Sequence, residues 1–215
     1  MGDKVRVFLV DDHTLVRQGI AALTYGHDDI EIVGQCGTGA DLLRQAPASR
    51  PDVIVLDISL PDINGVDLCR KITRRMKNTA VLILTMHVED EYAVEALRSG
   101  AMGYLIKEAA SDQLINAIRA VARGESYLGA SISPQVLERV RQPGKTGPYA
   151  MLTPRQRQIL QLIAKGNSNR RTAEILGISV KTVDTHRWKL MKALDIHDQA
   201  SLIKYAIRNG LVGLE

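Results

Sequence analysis

The first 124 residues alternate short apolar, β-branched runs with amphipathic stretches of helical period, and this alternation is the strongest constraint on the fold. The apolar runs fall at 5–10, 30–36, 53–57, 80–85 and 103–106. Between and after them, apolar residues recur at helical spacing: Leu15, Ile20 and Leu23; Leu68 and Ile72; Ala93, Ala96 and Leu97; Leu114, Ile115, Ile118 and Val121. The strand-like runs are apolar throughout rather than alternating, as expected of strands buried on both faces. Repeated βα units of this kind predict a doubly wound (βα)5 parallel sheet with helices on both faces.

After Gly124 the pattern becomes purely helical. Ser133-Pro134 reads as a helix start, with Ser as N-cap and Pro at the first helical position, and this helix is expected to reach Arg141 or Gln142. The breaker-rich Pro143-Gly144-Lys145-Thr146-Gly147-Pro148 follows and reads as an interdomain linker. Four short helices are then expected. The first opens at Thr153-Pro154-Arg155-Gln156, a capping box with Pro at the first helical position, and ends before Gly166. The second opens at Ser168 and stops at Gly177, the third runs from Ser179 to about Leu194, and the fourth covers 199–208 before Gly210. The expected class is α/β plus all-α: a sheet domain over 1–124, a linker with one helix over 125–148, and a four-helix domain over 149–215.

Charge separates the two halves. Residues 1–124 hold 14 Lys and Arg against 17 Asp and Glu, whereas residues 125–215 hold 14 against 7. A net −3 half joined to a net +7 half suits one part that handles a cation and another that handles a polyanion; two solvated surfaces of opposite sign would look the same. No apolar run approaches the roughly 18–20 residues needed to cross a bilayer, and the first ten residues lack the layout of a signal peptide. Cys36 and Cys69 sit in apolar segments without metal-type or redox spacing, which favours buried thiols in a reducing cytoplasm, although a disulfide between them stays open.

In an open parallel sheet, ligands bind at the carboxyl ends of the strands. The expected strands end in Asp11-Asp12, Asp57, Thr85 and Lys107, and thus bring three carboxylates, a hydroxyl and an ammonium to one rim. Clustered carboxylates repel one another unless a cation neutralises them, and an all-oxygen set favours a hard ion such as Mg²⁺. Such a site suits phosphoryl transfer, in which a carboxylate can itself be the nucleophile. Lys107 would pair with a phosphoryl group and the Thr85 hydroxyl would donate to it. Taken singly, each of these residues is more simply a helix cap or a solvated side chain; their convergence on one rim carries the reading.

Val10-Asp11-Asp12, Val55-Leu56-Asp57 with Pro61 and Gly65 downstream, Leu84-Thr85 and Gly103-Tyr104-Leu105-Ile106-Lys107 resemble the receiver domain of bacterial two-component response regulators. The resemblance implies that Asp57 is the phosphoacceptor and that Asp12, Asp57 and the Ser59 carbonyl hold Mg²⁺, with Asp11 assisting directly or through water. It also implies that Thr85 moves toward the phosphoryl group while Tyr104 turns into the vacated space, and that Lys107 neutralises the phosphate. Ser59 and His87 occupy positions that tune acyl-phosphate lifetime in this family. Glu108 stands where many receivers have proline.

In the basic half, the expected helix pair 169–176 and 180–194 has the short turn of a helix-turn-helix. On a helical wheel Val183, Leu190 and Leu194 share a core face, flanked by Arg187 and Met191, and Lys181, Asp184, Thr185, Trp188 and Lys192 lie opposite, as candidates for the major groove. Ser168, Asn169, Arg170, Arg171 and Lys189 would contact the DNA backbone. Leu152-Thr153-Pro154-Arg155, Ile159-Leu160, Ile163-Ala164-Lys165-Gly166, Ile178-Ser179 and Lys181-Thr182-Val183 with His186 resemble the LuxR-type DNA-binding domain. This resemblance adds Thr182 to the contact set. Arg170-Arg171-Thr172 departs from the commoner Lys-Glu-Ile, so Ser168 has no glutamate to complete a capping box. Asp184 replaces a residue that is often basic. For Trp188, DNA contact and protein packing stay open, with packing favoured because a fully exposed Trp is uncommon.

A receiver followed by this domain is the layout of NarL/FixJ-type response regulators. The resemblance implies a sensor histidine kinase as phosphodonor, double-stranded promoter DNA as target, and a homodimer when phosphorylated; Leu202, Ile203, Ala206 and Ile207 form one apolar stripe of the fourth helix, which is the expected dimer face. It implies no turnover enzyme, since a receiver assists only its own phosphotransfer and dephosphorylation. A constitutive DNA-binding regulator with a vestigial receiver is the alternative.

Overall fold

The computed structural model describes residues 4–109, 111–141 and 148–208. The linker residues Pro143 to Gly147, and Gly210, lie outside them. The chain divides into two compact units after Arg141.

The first unit is built on six parallel strands in the order β2-β1-β3-β4-β5-β6: β1 (Val5–Val10), β2 (Ile30–Cys36), β3 (Val53–Leu56), β4 (Ala80–Thr85), β5 (Gly103–Ile106) and β6 (Tyr127–Leu128). Helices α1 (Thr14–Thr24), α2 (Gly39–Ser49), α3 (Gly65–Arg75), α4 (Asp90–Arg98) and α5 (Ser111–Ala122) make the crossovers. Alternate strand residues Val7, Leu9, Val53, Val55, Leu82, Leu84 and Leu105 pack with Ile20 of α1 and with Leu114, Ile115, Ile118 and Val121 of α5. The pleat turns Phe8, Val10, Ile54, Leu56, Val81, Ile83 and Tyr104 to the other face, and all are buried. Both faces being covered explains why the strands read as continuous apolar runs.

Residues 125–141 continue this unit. Tyr127 and Leu128 pair with Gly103 and Tyr104 as β6. Helix α6 (Gln135–Arg141) packs on α4 and buries Val136 completely. The Arg139 guanidinium is 2.8 Å from Glu91 of α4, and Arg98 donates to the Arg139 carbonyl at 2.6 Å.

The second unit contains a 3₁₀ turn (Pro148–Met151) and α7 (Pro154–Ala164), α8 (Asn169–Leu176), α9 (Val180–Ala193) and α10 (Gln199–Arg208). The caps are those expected. Thr153 and Gln156 form both halves of a capping box. Ser168 accepts from the Arg171 amide although no glutamate completes its box, Gly177 ends α8 with φ 62°, and Ser179 accepts from the Thr182 amide. The core joins Ile159, Leu160, Ile163, Ala173, Val183, Leu190, Leu202 and Ala206. The last two correct the expected dimer stripe: the apolar face of α10 packs against α7 and leaves Leu202 and Ala206 with no exposed surface, while Ile203 and Ile207 stay partly exposed.

Gly65 shows how closely the β3–α3 connection is packed. A Cβ there would lie 2.2 Å from the Asp57 carbonyl oxygen and 2.6 Å from Ile58 Cα, both backbone atoms with little room to yield. Gly19 of α1 has nothing within 4 Å of the same position. Gly65→Ala is therefore expected to cost about 1–3 kcal/mol or more in denaturant unfolding, whereas Gly19→Ala is expected to add about 0.5–1 kcal/mol through helix propensity. Equal effects in the two variants would contradict this account of the loop.

Candidate functional site

Asp57 immediately follows β3, and its amide donates to the Val10 carbonyl at 2.9 Å, so the end of β1 sets its position. Asp11 and Asp57 are each only 3% exposed, and Thr85 is completely buried. Lys107, just past β5, reaches into the gap between them: its Nζ is 2.6 Å from Asp11 Oδ2 and 2.9 Å from Asp57 Oδ2. Burial pushes the Asp57 carboxyl above the ordinary carboxylate range, against the pull of Lys107. The Lys107 ammonium loses hydration too, but attraction from Asp57 and Asp11 more than compensates and holds its pKa above the usual value. The expected rim residues therefore converge: Asp11, Asp12, Asp57 and Lys107 line one pocket, with Thr85 beside it.

The donor set fits a hard divalent cation. Its carboxylate oxygens are the ligands that Mg²⁺ prefers, and Asp12 Oδ1 is buried without a hydrogen bond. Sequence reasoning did not include His13 here. Its imidazole lies over Asp11 and Asp12, and one donor atom from each of Asp11, Asp12, His13 and Asp57 falls within 4.8 Å of the others. The signal was present in its adjacency to the Asp pair.

Behind the pocket, the β4–α4 turn is tied together at His87. Its amide reaches Thr85 Oγ1 at 3.4 Å, its carbonyl accepts from the Tyr104 hydroxyl at 2.9 Å, and its Nε2 is 3.0 Å from Ser59 Oγ. The ring stacks on Tyr92 of α4 with centroids 4.5 Å apart, and burial pushes the imidazole pKa down to about 4. The Tyr104 ring is already in the interior, fully buried, the position that the resemblance assigned to it after phosphorylation.

The second unit presents the basic face. Lys181, Asp184, Thr185, Trp188, Lys189 and Lys192 are exposed on α9, with Thr182 half-buried beside them; Val183 and Leu190 point into the core. Ser168, Asn169, Arg170 and Arg171 sit together at the start of α8. Glu174 lies 3.7 Å from Arg170 and 3.1 Å from Arg171, so part of the charge of that cluster is balanced locally. Asn169 donates to Asp184 Oδ1 at 2.5 Å and accepts from Arg187 at 3.4 Å, which ties α9 to the start of α8. Trp188 is 61% exposed, and Lys192 Nζ lies 5.2 Å from its ring centre. Cys36 and Cys69 are buried free thiols whose pKa values burial raises to about 11 and about 12, so neither is a reactive centre. Among the described residues, no helix is long and apolar enough to cross a membrane.

Residues 7–119 match the response regulator receiver domain family, and residues 150–206 match the luxR family of bacterial regulatory proteins. The chain is a two-component response regulator with a LuxR-type DNA-binding domain. It is 35% identical to the transcriptional regulatory protein LiaR of Bacillus subtilis over 97% of this chain and 99% of that protein. It is 36% identical to the response regulator UvrY of Escherichia coli K12 over 98% and 97%. In fold it resembles RcsB of Salmonella enterica serovar Typhimurium, solved bound to the rprA promoter with the phosphomimetic BeF₃⁻. That likeness has a TM-score of 0.66 at 24% identity and covers 94% of this chain and 98% of that one. The chain is thus a member of a family of DNA-binding transcription regulators rather than of turnover enzymes.

The packing of this response regulator's pocket makes Lys107 its internal counter-ion. Lys107→Met leaves Asp11 and Asp57 facing each other with their shared cation gone, and breaking a buried pair in this way costs about 3–5 kcal/mol. With Lys107 removed, the Asp57 pKa rises further, so the folded variant binds more protons than the unfolded chain below that pKa and loses stability as pH rises through it. Urea unfolding is expected to show the deficit in full at neutral pH and a smaller one in mild acid. A deficit independent of pH would argue against uncompensated charge as its cause.

Proposed function

We propose that Asp57 accepts a phosphoryl group from a sensor histidine kinase and that this modification drives dimeric binding to promoter DNA. The observation that carries the proposal is the Asp57 carboxylate at the end of β3, held within 2.9 Å of Lys107 and within one cluster with Asp11 and Asp12. In the reaction, an Asp57 oxygen bonds to phosphorus as the phosphorus–nitrogen bond of the donor phosphohistidine breaks, and the imidazole leaves. Asp12, Asp57 and the Ser59 carbonyl, with Asp11 assisting, would hold Mg²⁺, which would supply charge to shield the negative oxygens of the transferring group. Lys107 then exchanges part of its carboxylate pairing for a phosphoryl oxygen, and the Thr85 hydroxyl turns from the His87 amide to donate to another.

The signal has a physical route out of the pocket. Thr85 is bonded to the His87 amide, His87 stacks on Tyr92 of α4, and α4 carries α6 through Glu91–Arg139, Arg98 and Asp90. The linker toward the DNA-binding domain follows α6, so a change in the Thr85–His87 contact alters the footing of α6. The inward Tyr104 and its bond to the His87 carbonyl belong to the state that phosphorylation favours, and only a few kcal/mol of differential affinity are needed to shift that balance. The receiver function is assigned to 1–124 and DNA binding to 149–215, with 125–148 between them. The chain is assigned to the cytoplasm, where kinase and DNA are both accessible.

On DNA, Lys181, Thr182, Asp184, Thr185, Trp188 and Lys192 of α9 face the major groove, while Ser168, Asn169, Arg170, Arg171 and Lys189 take phosphates. Of the α10 stripe, Ile203 and Ile207 retain surface for a dimer contact.

Acetyl phosphate with Mg²⁺ is expected to label the wild type and not Asp57→Asn. Beryllofluoride is expected to tighten DNA binding of the wild type only; equal affinity with and without it would leave the constitutive alternative. Arg139→Ala loosens α6 from α4 and is expected to narrow the difference between the two states by several-fold. Lys192→Ala is expected to reduce the salt slope of binding by about one and to weaken all sequences alike. Selection from a random DNA pool with wild-type protein and Trp188→Ala shows whether the Trp reads a base, by loss of preference at one position in each half-site.

A further inference from the structure

We propose that His13 is a nitrogen ligand of the Asp11, Asp12 and Asp57 cation site, which gives that site an added affinity for borderline divalent ions such as Mn²⁺, Co²⁺ and Zn²⁺. The proposal rests on the reading of the acidic pocket as a cation site and extends it to the ion's identity. His13 is the N-cap residue of α1, in extended backbone conformation (φ −84°, ψ 109°), yet its side chain does not cap the helix. The ring turns back over the pocket instead. Its Nδ1 lies 2.8 Å from Asp12 Oδ1 and 3.2 Å from Asp11 Oδ1. That second contact is a hydrogen bond, whereas Asp12 Oδ1 is buried without one, so this oxygen keeps its lone pairs for a cation, and the imidazole nitrogen exchanges its bond to Asp11 for the ion.

The rest of the donor set has the dimensions of one ion. Ligands about 2.0–2.2 Å from a metal are separated by roughly 3 Å when adjacent and by roughly 4.4 Å when opposite. The donor atoms of Asp11, Asp12, His13 and Asp57 all lie within 4.8 Å of one another, which small side-chain rotations bring to those spacings. The two sides of Asp11 are already divided: Oδ2 faces Lys107, and Oδ1 accepts from the His13 amide at 2.8 Å and lies beside the His13 ring, with a further lone pair for a cation. A cation on the Oδ1 side therefore does not have to displace the Lys107 ammonium. The His13 side chain is 66% exposed, so the ring has room to swing onto an ion entering from solvent.

Ligand chemistry then separates the ions. Mg²⁺ takes oxygen and water and gains little from imidazole, whereas the later first-row ions gain a strong bond. The same pocket binds Mg²⁺ through oxygens alone and Mn²⁺, Co²⁺ or Zn²⁺ through oxygens and one nitrogen.

Electron spin echo spectroscopy of the full chain loaded with Mn²⁺ reads the bond directly. The wild type is expected to show modulation from a bound imidazole nitrogen, which disappears in His13→Ala and His13→Gln. By competition titration, both variants are expected to lose about tenfold or more in affinity for Co²⁺ and Zn²⁺ while Mg²⁺ stays within about twofold, since loss of a direct ligand exceeds the effect of losing an outer partner. Thermal unfolding checks that both variants stay folded. If Mn²⁺ binds without nitrogen modulation, or if all ions weaken equally in both variants, the His13 assignment is overturned and the cation site stands. If neither Mg²⁺ nor Mn²⁺ binds the wild type, the reading of the pocket falls and the assignment with it.

Discussion

Everything in the receiver half depends on an ammonium group held between two buried carboxylates. Asp11 and Asp57 come from the ends of neighbouring strands, and their proximity is a consequence of strand order: β1 pairs with β3 in parallel register, with Val10 opposite Leu56. Two buried carboxylates brought so close repel each other, and Lys107 offsets that repulsion from the far side of β4. On the proposed reading, the Lys107 bonds are redistributed when a phosphoryl group adds negative charge to Asp57. A pocket of apolar residues at this position would hold the fold at least as well. The retained charges are better explained by chemistry than by stability.

The same economy governs the connection outward. Thr85 and Lys107 are bound through the backbone, with the Lys107 amide donating to the Thr85 carbonyl at 2.8 Å, so the ends of β4 and β5 share one edge. The turn that follows Thr85 is less constrained: Met86 and Val88 are exposed, and His87 alone is buried between them. His87 is therefore the point at which the turn is fastened, by its ring to Tyr92 and by its carbonyl to Tyr104. A buried neutral imidazole suits that role, since burial disfavours the charged form.

Most of this was legible in the sequence, and for identifiable reasons. Strands buried on both faces produce unbroken apolar runs, so β1 to β5 were marked, and with them the residues that end them. Helix boundaries were legible where capping chemistry is local, as at Thr153, Ser168, Gly177 and Ser179. β6 was not, because two residues carry no period, and its pairing with β5 is decided by distant backbone. The α10 stripe misled for a different reason. Apolar residues at i, i+1, i+4 and i+5 say only that one face is buried, and whether the covering surface is a partner or the same chain is settled by packing; here α7 takes Leu202 and Ala206. His13 was overlooked because its place beside Asp11 and Asp12 depends on which way a ring turns after the strand ends.

Helix α9 shows where local pattern stops being informative about recognition. Asp184 looks like a poor residue for a surface that must meet phosphates, yet it is not a free negative charge: Asn169 donates to it, and Arg187 in turn donates to Asn169. The carboxylate is thus oriented from the neighbouring helix, and an oriented acceptor is worth more in a groove than a freely rotating one, because less rotamer entropy is lost on contact. Trp188 follows one turn later on the same face, with the Lys192 ammonium near its ring. A flat apolar surface backed by a cation can lie against a sugar or a thymine methyl while the cation meets a phosphate. Of the two residues that depart most from a plain basic helix, Trp188 stays exposed and Asp184 is oriented by a neighbouring helix; fixed orientation is what discrimination between sequences requires and attraction to DNA does not.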